Sequence, residues 1–166
     1  MSPEQIGCAE AERALLGCLL RLPAGEVLRV AQRLTVEDLT DPANRVLLGA
    51  TVAVAVAGHD PDPALVVLEL RRRGCEHSFT SHQGAGAYAL DVFMSAGVPA
   101  AVDGYLLGVL EHSYRRRVQE AGVRLQQAAD GHSLPDLHEL VGEQTAALTA
   151  AWRRLHSKQT ARLEVA

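Results

Sequence analysis

Residues 99–130 read PAAVDGYLLGVLEHSYRRRVQEAGVRLQQAAD, and this stretch decides the fold. No helix breaker stronger than an isolated glycine interrupts it. At about 1.5 Å per residue, a helix over this stretch approaches about 45 Å, which is longer than a small globule requires. Gly131 and His132 end it. A discontinuous apolar stripe marks one face of the predicted helix, at Val102, Leu106, Val109, Val118, Leu125 and Ala128.

A second long helix follows almost at once, since Ser133 and Pro135 form a helix start. Two long helices joined by so short a turn are antiparallel neighbours. A projecting hairpin cannot bury both apolar faces by itself, so we expect another molecule, most simply a second copy of the chain, to cover them. The predicted oligomer interface consists of Val102, Leu106, Val109, Leu137, Val141, Leu148, Trp152 and Leu155.

The residues before the hairpin predict several shorter helices. Residues 10–22 and 26–34 carry apolar residues at spacings of three and four, which is typical of a helix with one buried face. Asp41-Pro42 and Asp62-Pro63 each place a first-turn proline directly after an N-cap residue. The two helices that they open are expected to end at Gly58 and Gly74.

The remaining connections complete an all-α chain. Residues 75–86 are rich in Gly, Ser, Thr and His and predict a loop, and a short helix over 87–95 follows. The predicted architecture is a compact multi-helix globule over residues 1–97 and a long antiparallel helical hairpin over 98–157. A disordered tail is expected over 158–166.

The composition excludes several classes of protein. The 166 residues are 48% apolar and 22% charged, which excludes disordered and collagen-like chains. The net charge of −4 gives no overall attraction to nucleic acid or anionic membranes. The longest apolar stretch, Val46 to Ala57, is shorter than the roughly 20 residues of a membrane span. No secretion signal is recognisable and the cysteine count is odd, so we expect a reduced, cytoplasmic protein with no membrane partner.

No motif for an enzyme or a cofactor site stands out. Lys158 is the only lysine and has no glycine-rich loop before it, which excludes a P-loop. Cys75, His77 and His82 are the one candidate metal cluster, but a fourth ligand and the paired spacing of structural zinc sites are missing. We therefore expect no catalytic residues, cofactor or metal, and the sequence leaves open whether these three side chains hold zinc.

Arginine clusters offer a second interpretation. Three tight basic groups, at residues 71–73, 115–117 and 153–154, could bind phosphates, which would make the chain a DNA-contacting accessory protein. The acidic net charge and the scarcity of aromatic residues near them favour solvated helix faces instead. The candidate nucleic-acid contacts are Arg71, Arg72, Arg73, Arg115, Arg116 and Arg117.

Several segments between residues 9 and 130 form a collinear series of packing and turn motifs. They are AERALLGCLL at 11–20, EDLTDPANR at 37–45, GHDPD at 58–62, Gly84, Gly86 and Tyr88, and VPAA at 98–101. Taken in order, these segments resemble the N-terminal domain of DnaB-type replicative helicases. Each motif is weak alone, and the collinear series is what makes the resemblance specific. Leu39 and Asn44 stand where the family usually has Phe and His.

The resemblance implies an all-helical globule with a hairpin through which family members pair. In those helicases the pairs build a collar on the hexamer, and the collar modulates primase docking and helicase activity. The family's motor is a RecA-like ATPase after a linker, and this chain has neither the motor's length nor its P-loop. The resemblance therefore implies a stand-alone, non-catalytic module that forms dimers or trimers of dimers and binds a replicative helicase or primase.

Overall fold

The computed structural model describes residues 7–157, which contain helices and turns and no strand. The all-α prediction is confirmed. Single-turn 3₁₀ segments cover Val36–Asp38 and Pro99–Ala101, and a longer one covers Glu76–His82. The α-helices are α1 (Cys8–Leu19), α2 (Ala24–Ala31), α3 (Pro42–Val56), α4 (Pro63–Arg72), α5 (Ala85–Met94), α6 (Val102–Ala129) and α7 (Leu134–His156).

The helix starts follow the capping residues in the sequence. The Asp41 carboxylate accepts a hydrogen bond from the Ala43 amide at 2.8 Å, and Asp62 accepts one from the Leu65 amide at 2.9 Å. Proline occupies the first turn of both helices, where its missing N–H costs no helical hydrogen bond. Ser133 caps α7 in the same way. These predicted boundaries are confirmed.

The connection between α4 and α5 is more ordered than the sequence predicts. Residues 75–86 were expected to be a loop, but Glu76–His82 form a 3₁₀ helix. Its anchor is Phe79, which is fully buried and packs against the Tyr88 ring at 5.4 Å between centroids. Burial of this one large ring fixes the segment, a tertiary effect that the polar composition conceals.

Contacts divide the chain into two compact units, with the boundary between Val109 and Leu110. In the first unit α3 lies at the centre and packs against α1, α2 and α4, while α5 packs against α1 and α4. The α1–α5 contact is close: a Cβ on Gly17 would lie 2.5 Å from the Val92 carbonyl oxygen. Only glycine permits that approach.

The second unit holds most of α6 and all of α7. The chain reverses between Ala129 and Leu134, and the amides of Gly131 and His132 both donate to the Ala128 carbonyl. The rings of Tyr114 and Trp152 lie 5.4 Å apart, which shows that α7 runs back along α6. The predicted antiparallel hairpin is present. At about 1.5 Å per residue, the 28 residues of α6 span about 42 Å.

In the described part of the chain, no helix taken singly combines the length and apolarity of a membrane span. Among the described residues, one bent pair of helices, Ala85–Met94 with Pro99–Ala129, has the length and apolarity of a membrane span when the two are taken together.

Candidate functional site

The eight residues of the predicted oligomer interface fall into different environments. Val102, Leu106 and Val109, on the first turns of α6, are buried within the chain. Their side chains are already covered, so they offer no surface to a second molecule, and Leu155 is buried as well. Four of the predicted residues stay at least partly accessible, all of them on α7: Leu137, Val141, Leu148 and Trp152.

The buried residues of the hairpin include both small and large side chains. Ala121 and Ala128 on α6 and Ala151 on α7 are buried, and so are Leu110 and Leu155. Other large apolar side chains of the hairpin remain accessible.

Several accessible apolar side chains line one edge of the hairpin. Val141 and Trp152 are 43% and 48% exposed on α7, and Val118 on α6 is 42% exposed. On α6, Val118 lies four residues after Tyr114, and Leu125 lies seven residues after Val118. On α7, which runs in the opposite direction, Leu148 lies four residues before Trp152, and Val141 lies seven residues before Leu148. We call these six residues the hairpin flank: Tyr114, Val118, Leu125, Val141, Leu148 and Trp152.

Spacings of four and seven keep residues on one side of a helix. In antiparallel helices, matching steps from a shared contact also place the side chains at matching heights. Helical spacing therefore places the hairpin flank along about 16 Å, from the Tyr114–Trp152 contact to the height of Leu125 and Val141. His156 lies at one end, stacked on Trp152 with 3.8 Å between ring centroids.

The arginines of α4 are engaged by acidic neighbours. Arg72 and Arg73 both donate to the Glu69 carboxylate, at 2.8 and 2.6 Å, and Arg71 donates to Glu76 at 3.0 Å. The hydrogen bonds from Arg72 and then Arg73 lower the pKa of Glu69 to about 2. Within residues 69–76 the three positive charges face two negative ones, which weakens the case for a phosphate-binding surface here.

The second arginine cluster lies on α6. Arg116 contacts Glu120 at 3.8 Å, and Arg117 donates to the Ser113 hydroxyl at 3.3 Å. Arg115 is exposed. The six candidate arginines therefore form two separate groups along the chain.

The candidate metal residues contact other groups. A ring nitrogen of His77 lies 3.0 Å from the Gly74 carbonyl oxygen, and the Cys75 thiol donates to the Arg73 carbonyl. His82 stacks on Tyr88 with 4.4 Å between centroids. Among residues 7–157, no three His, Cys, Asp or Glu side chains are grouped as a metal ion needs.

A buried polar network that the sequence pattern did not predict joins three helices. Glu12, Asn44 and Tyr88 are all at least 98% buried. Asn44 donates through Nδ2 to Glu12 Oε2 at 2.8 Å, and its Oδ1 accepts from the Tyr88 hydroxyl at 2.6 Å. Glu12 also accepts from the amides of Thr40 and Asp41 at the start of α3. Each polar group therefore has a partner, which a buried carboxylate requires.

The network joins motifs that are distant in the sequence. Glu12, Asn44 and Tyr88 come from three separate segments of the resemblance to the helicase domain, and they meet at one point. A detectable signal was Glu12 itself, because it lies three, four and seven residues before the buried Leu15, Leu16 and Leu19. Burial, aided by the negative charge of Asp41, raises the pKa of Tyr88 to about 12.

Comparison with known proteins agrees with this geometry. Residues 4–110 match the family model of the DnaB-like helicase N terminal domain. The crystal structure of the N-terminal domain of DnaB helicase from Mycobacterium tuberculosis is similar with a TM-score of 0.74 and 25% sequence identity. The match covers 84% of this chain and 96% of that one, so it extends beyond residue 110 into the second unit. No curated protein matches the chain.

Proposed function

Because the chain belongs to the family of DnaB-like helicase N-terminal domains, we propose that it is a non-catalytic cytoplasmic module of DNA replication. In this proposal it self-associates through the hairpin flank, as a dimer or a trimer of dimers, and binds a helicase-type or primase-type partner. The observation that carries the proposal is the strip of exposed apolar side chains shared by α6 and α7.

The composition of the hairpin flank suits a protein interface. Tyr and Trp residues are enriched among the side chains that contribute most to binding, and the Tyr114–Trp152 pair lies within the strip. Heptad-like spacing lets a second pair of helices insert its side chains between those of the first. A two-fold axis through the strip would cover both copies with the same residues. A symmetric pair of hairpins forms the simplest closed arrangement.

Val141→Asp tests self-association. The substitution puts a carboxylate into the proposed interface, where its desolvation opposes binding, so the dissociation constant should rise at least about 100-fold. Size-exclusion chromatography with light scattering measures the mass over a dilution series. The side chain is 43% exposed in the single chain, so the fold should survive.

Val123→Asp is the matched control. Val123 is 54% exposed on α6 and lies away from the strip, because it is five residues beyond Val118. The control should keep the mass of the wild type. A monomeric wild type at high concentration, or equal loss of mass in both variants, would refute self-association through the hairpin flank.

DNA contact through Arg115, Arg116 and Arg117 is the second candidate function. The observation in its favour is that Arg115 is exposed on α6. A fluorescence-anisotropy titration with a single-stranded oligonucleotide at low and moderate salt tests it. Binding that falls with salt and is lost in Arg115→Glu supports DNA contact, and no binding at low salt excludes it.

A further inference from the structure

A second apolar surface lies in the first unit, between α4 and α5. The two helices leave an open groove of about 460 Å³. Small residues and larger apolar residues both line it. The lining residues that matter here are Ala64, Val67, Leu68, Arg71, Gly86 and Leu90.

Two large apolar side chains of this groove are more than half exposed. Leu68 is 58% exposed, Leu90 is 55% exposed, and Met94 on the next turn of α5 is 71% exposed. From Ala64 to Arg71 the groove follows α4 for about two turns, or about 10 Å. These exposed Leu and Met side chains form an apolar surface beside the groove. Covering that surface removes it from water, which is favourable in free energy.

One charged residue, Arg71, lines the groove. Glu76 accepts a hydrogen bond from its Nε at 3.0 Å, whereas a guanidinium carries four further N–H groups on its two Nη atoms. The side chain is more than half exposed. Arg71 can therefore bind a carboxylate from another molecule while it keeps its contact with Glu76.

We infer that this groove binds an amphipathic helix of a partner protein, with apolar side chains in the trough and a carboxylate on Arg71. Helices that dock in grooves present apolar residues at spacings of three, four and seven, which fit a trough two turns long. The neighbouring Arg72 and Arg73 both pair with the Glu69 carboxylate, which leaves them fewer donors for a nucleic-acid phosphate. The inference rests on the proposed partner-binding role but is independent of self-association through the hairpin flank.

A photo-crosslinking amino acid, p-benzoylphenylalanine, placed at position 90 in the native host provides the first probe. The same residue at position 56 is the control, because Val56 is 70% exposed on α3 and does not line the groove. We expect a protein crosslink specific to position 90. The crosslinked segment of the partner is then synthesised as a fluorescent peptide and titrated with the intact chain.

The peptide should become helical on binding, as measured by circular dichroism. Leu90→Asp and Arg71→Glu should each weaken its affinity by about tenfold or more, whereas Val56→Asp should change it less than about twofold. Reversal of the peptide's acidic residue to Lys should restore binding to Arg71→Glu. Unchanged thermal unfolding of each variant shows that the fold is intact.

Several results would overturn the inference. The first is equal or absent crosslinking at positions 90 and 56, and the second is a crosslink to another copy of the chain or to nucleic acid. The third is a peptide that stays non-helical on binding or binds Arg71→Glu as tightly as the wild type. None of these changes the mass measured by light scattering. Failure of the groove and failure of the hairpin flank are therefore distinguishable.

Discussion

The two units of this chain bury different kinds of side chain. The first unit encloses Phe79, a series of leucines and a fully satisfied polar network on Glu12. The second unit buries three alanines, Ser113, Leu110 and Leu155, while Val141 and Trp152 remain about half exposed. Burial of large side chains is the main source of stability. The first unit therefore has the larger apolar core, and we propose that another molecule covers the hairpin.

Asn44→Leu should have the largest effect on the first unit. The substitution leaves the buried Glu12 carboxylate without one donor and the Tyr88 hydroxyl without its acceptor. Loss of partners for two buried groups, one of them charged, should lower the free energy of unfolding by about 3–5 kcal/mol. Urea denaturation of both proteins measures the difference.

Asn44→His is the control for this network. A neutral imidazole also offers one donor and one acceptor, so it can serve Glu12 and Tyr88 together. The histidine variant should stay within about 1 kcal/mol of the wild type. If Leu and His at position 44 are equally tolerated, the network contributes nothing to the stability of the first unit.

Gly17→Ala should have the next largest effect. The added Cβ would lie 2.5 Å from the Val92 carbonyl oxygen and 2.6 Å from the Ala96 Cα, both of them backbone atoms. The overlap forces α1 and α5 apart and should cost about 2–3 kcal/mol in the free energy of unfolding. Thermal and urea unfolding measure it.

Gly49→Ala separates this packing effect from helix propensity. Gly49 lies within α3, and its added Cβ meets no atom within 4 Å. The alanine should stabilise the chain by about 0.5–1 kcal/mol, because glycine is unfavourable inside a helix. If Gly17→Ala raises the free energy of unfolding as Gly49→Ala does, the close α1–α5 approach is absent in solution.

Alkaline pH should weaken the first unit by a smaller amount. The folded pKa of Tyr88 is about 12, above the ordinary value of about 10 that the unfolded chain adopts. Between these values the unfolded chain releases the proton and the folded chain keeps it. The contribution of this raised pKa is therefore present below about pH 10 and is lost as the pH rises through 12, by about 1.4 kcal/mol for each pH unit.

Urea denaturation at about pH 9 and about pH 11 measures this loss. Tyr88→Phe is the control, since it has no proton to release at this position and should show a shallower dependence on pH. A wild type and a Tyr88→Phe variant with the same pH dependence would contradict the assignment of the raised pKa to this hydroxyl.

Much of the fold could be predicted from local sequence signals. Asp41, Asp62 and Ser133 fix helix starts through contacts within three residues, and such contacts are visible in the sequence. The order of the 3₁₀ segment around Phe79 was not predictable in this way, because it depends on a ring 9 residues further along the chain. Short-range chemistry gives the helices, and long-range packing decides the connections.

The candidate surface was harder to predict. The apolar residues of α6 do recur at helical spacing, but this periodicity does not show whether each residue is covered by its own chain or by another molecule. Val102, Leu106 and Val109 are buried within the chain, whereas Val118 and Val141 of the same hairpin remain accessible. Likewise, Glu12, Asn44 and Tyr88 lie 32 and 44 residues apart, so their hydrogen bonds appear only in three dimensions.

Hydrogen–deuterium exchange of backbone amides, compared between the wild type and Val141→Asp at the same concentration, tests the dependence of the hairpin on a covering molecule most directly. The account predicts faster exchange in Val141→Asp across residues 110–157, with the amides of residues 7–109 unchanged. Equal and strong protection of the hairpin in both proteins would contradict it, because α6 and α7 would then be stable within a single chain.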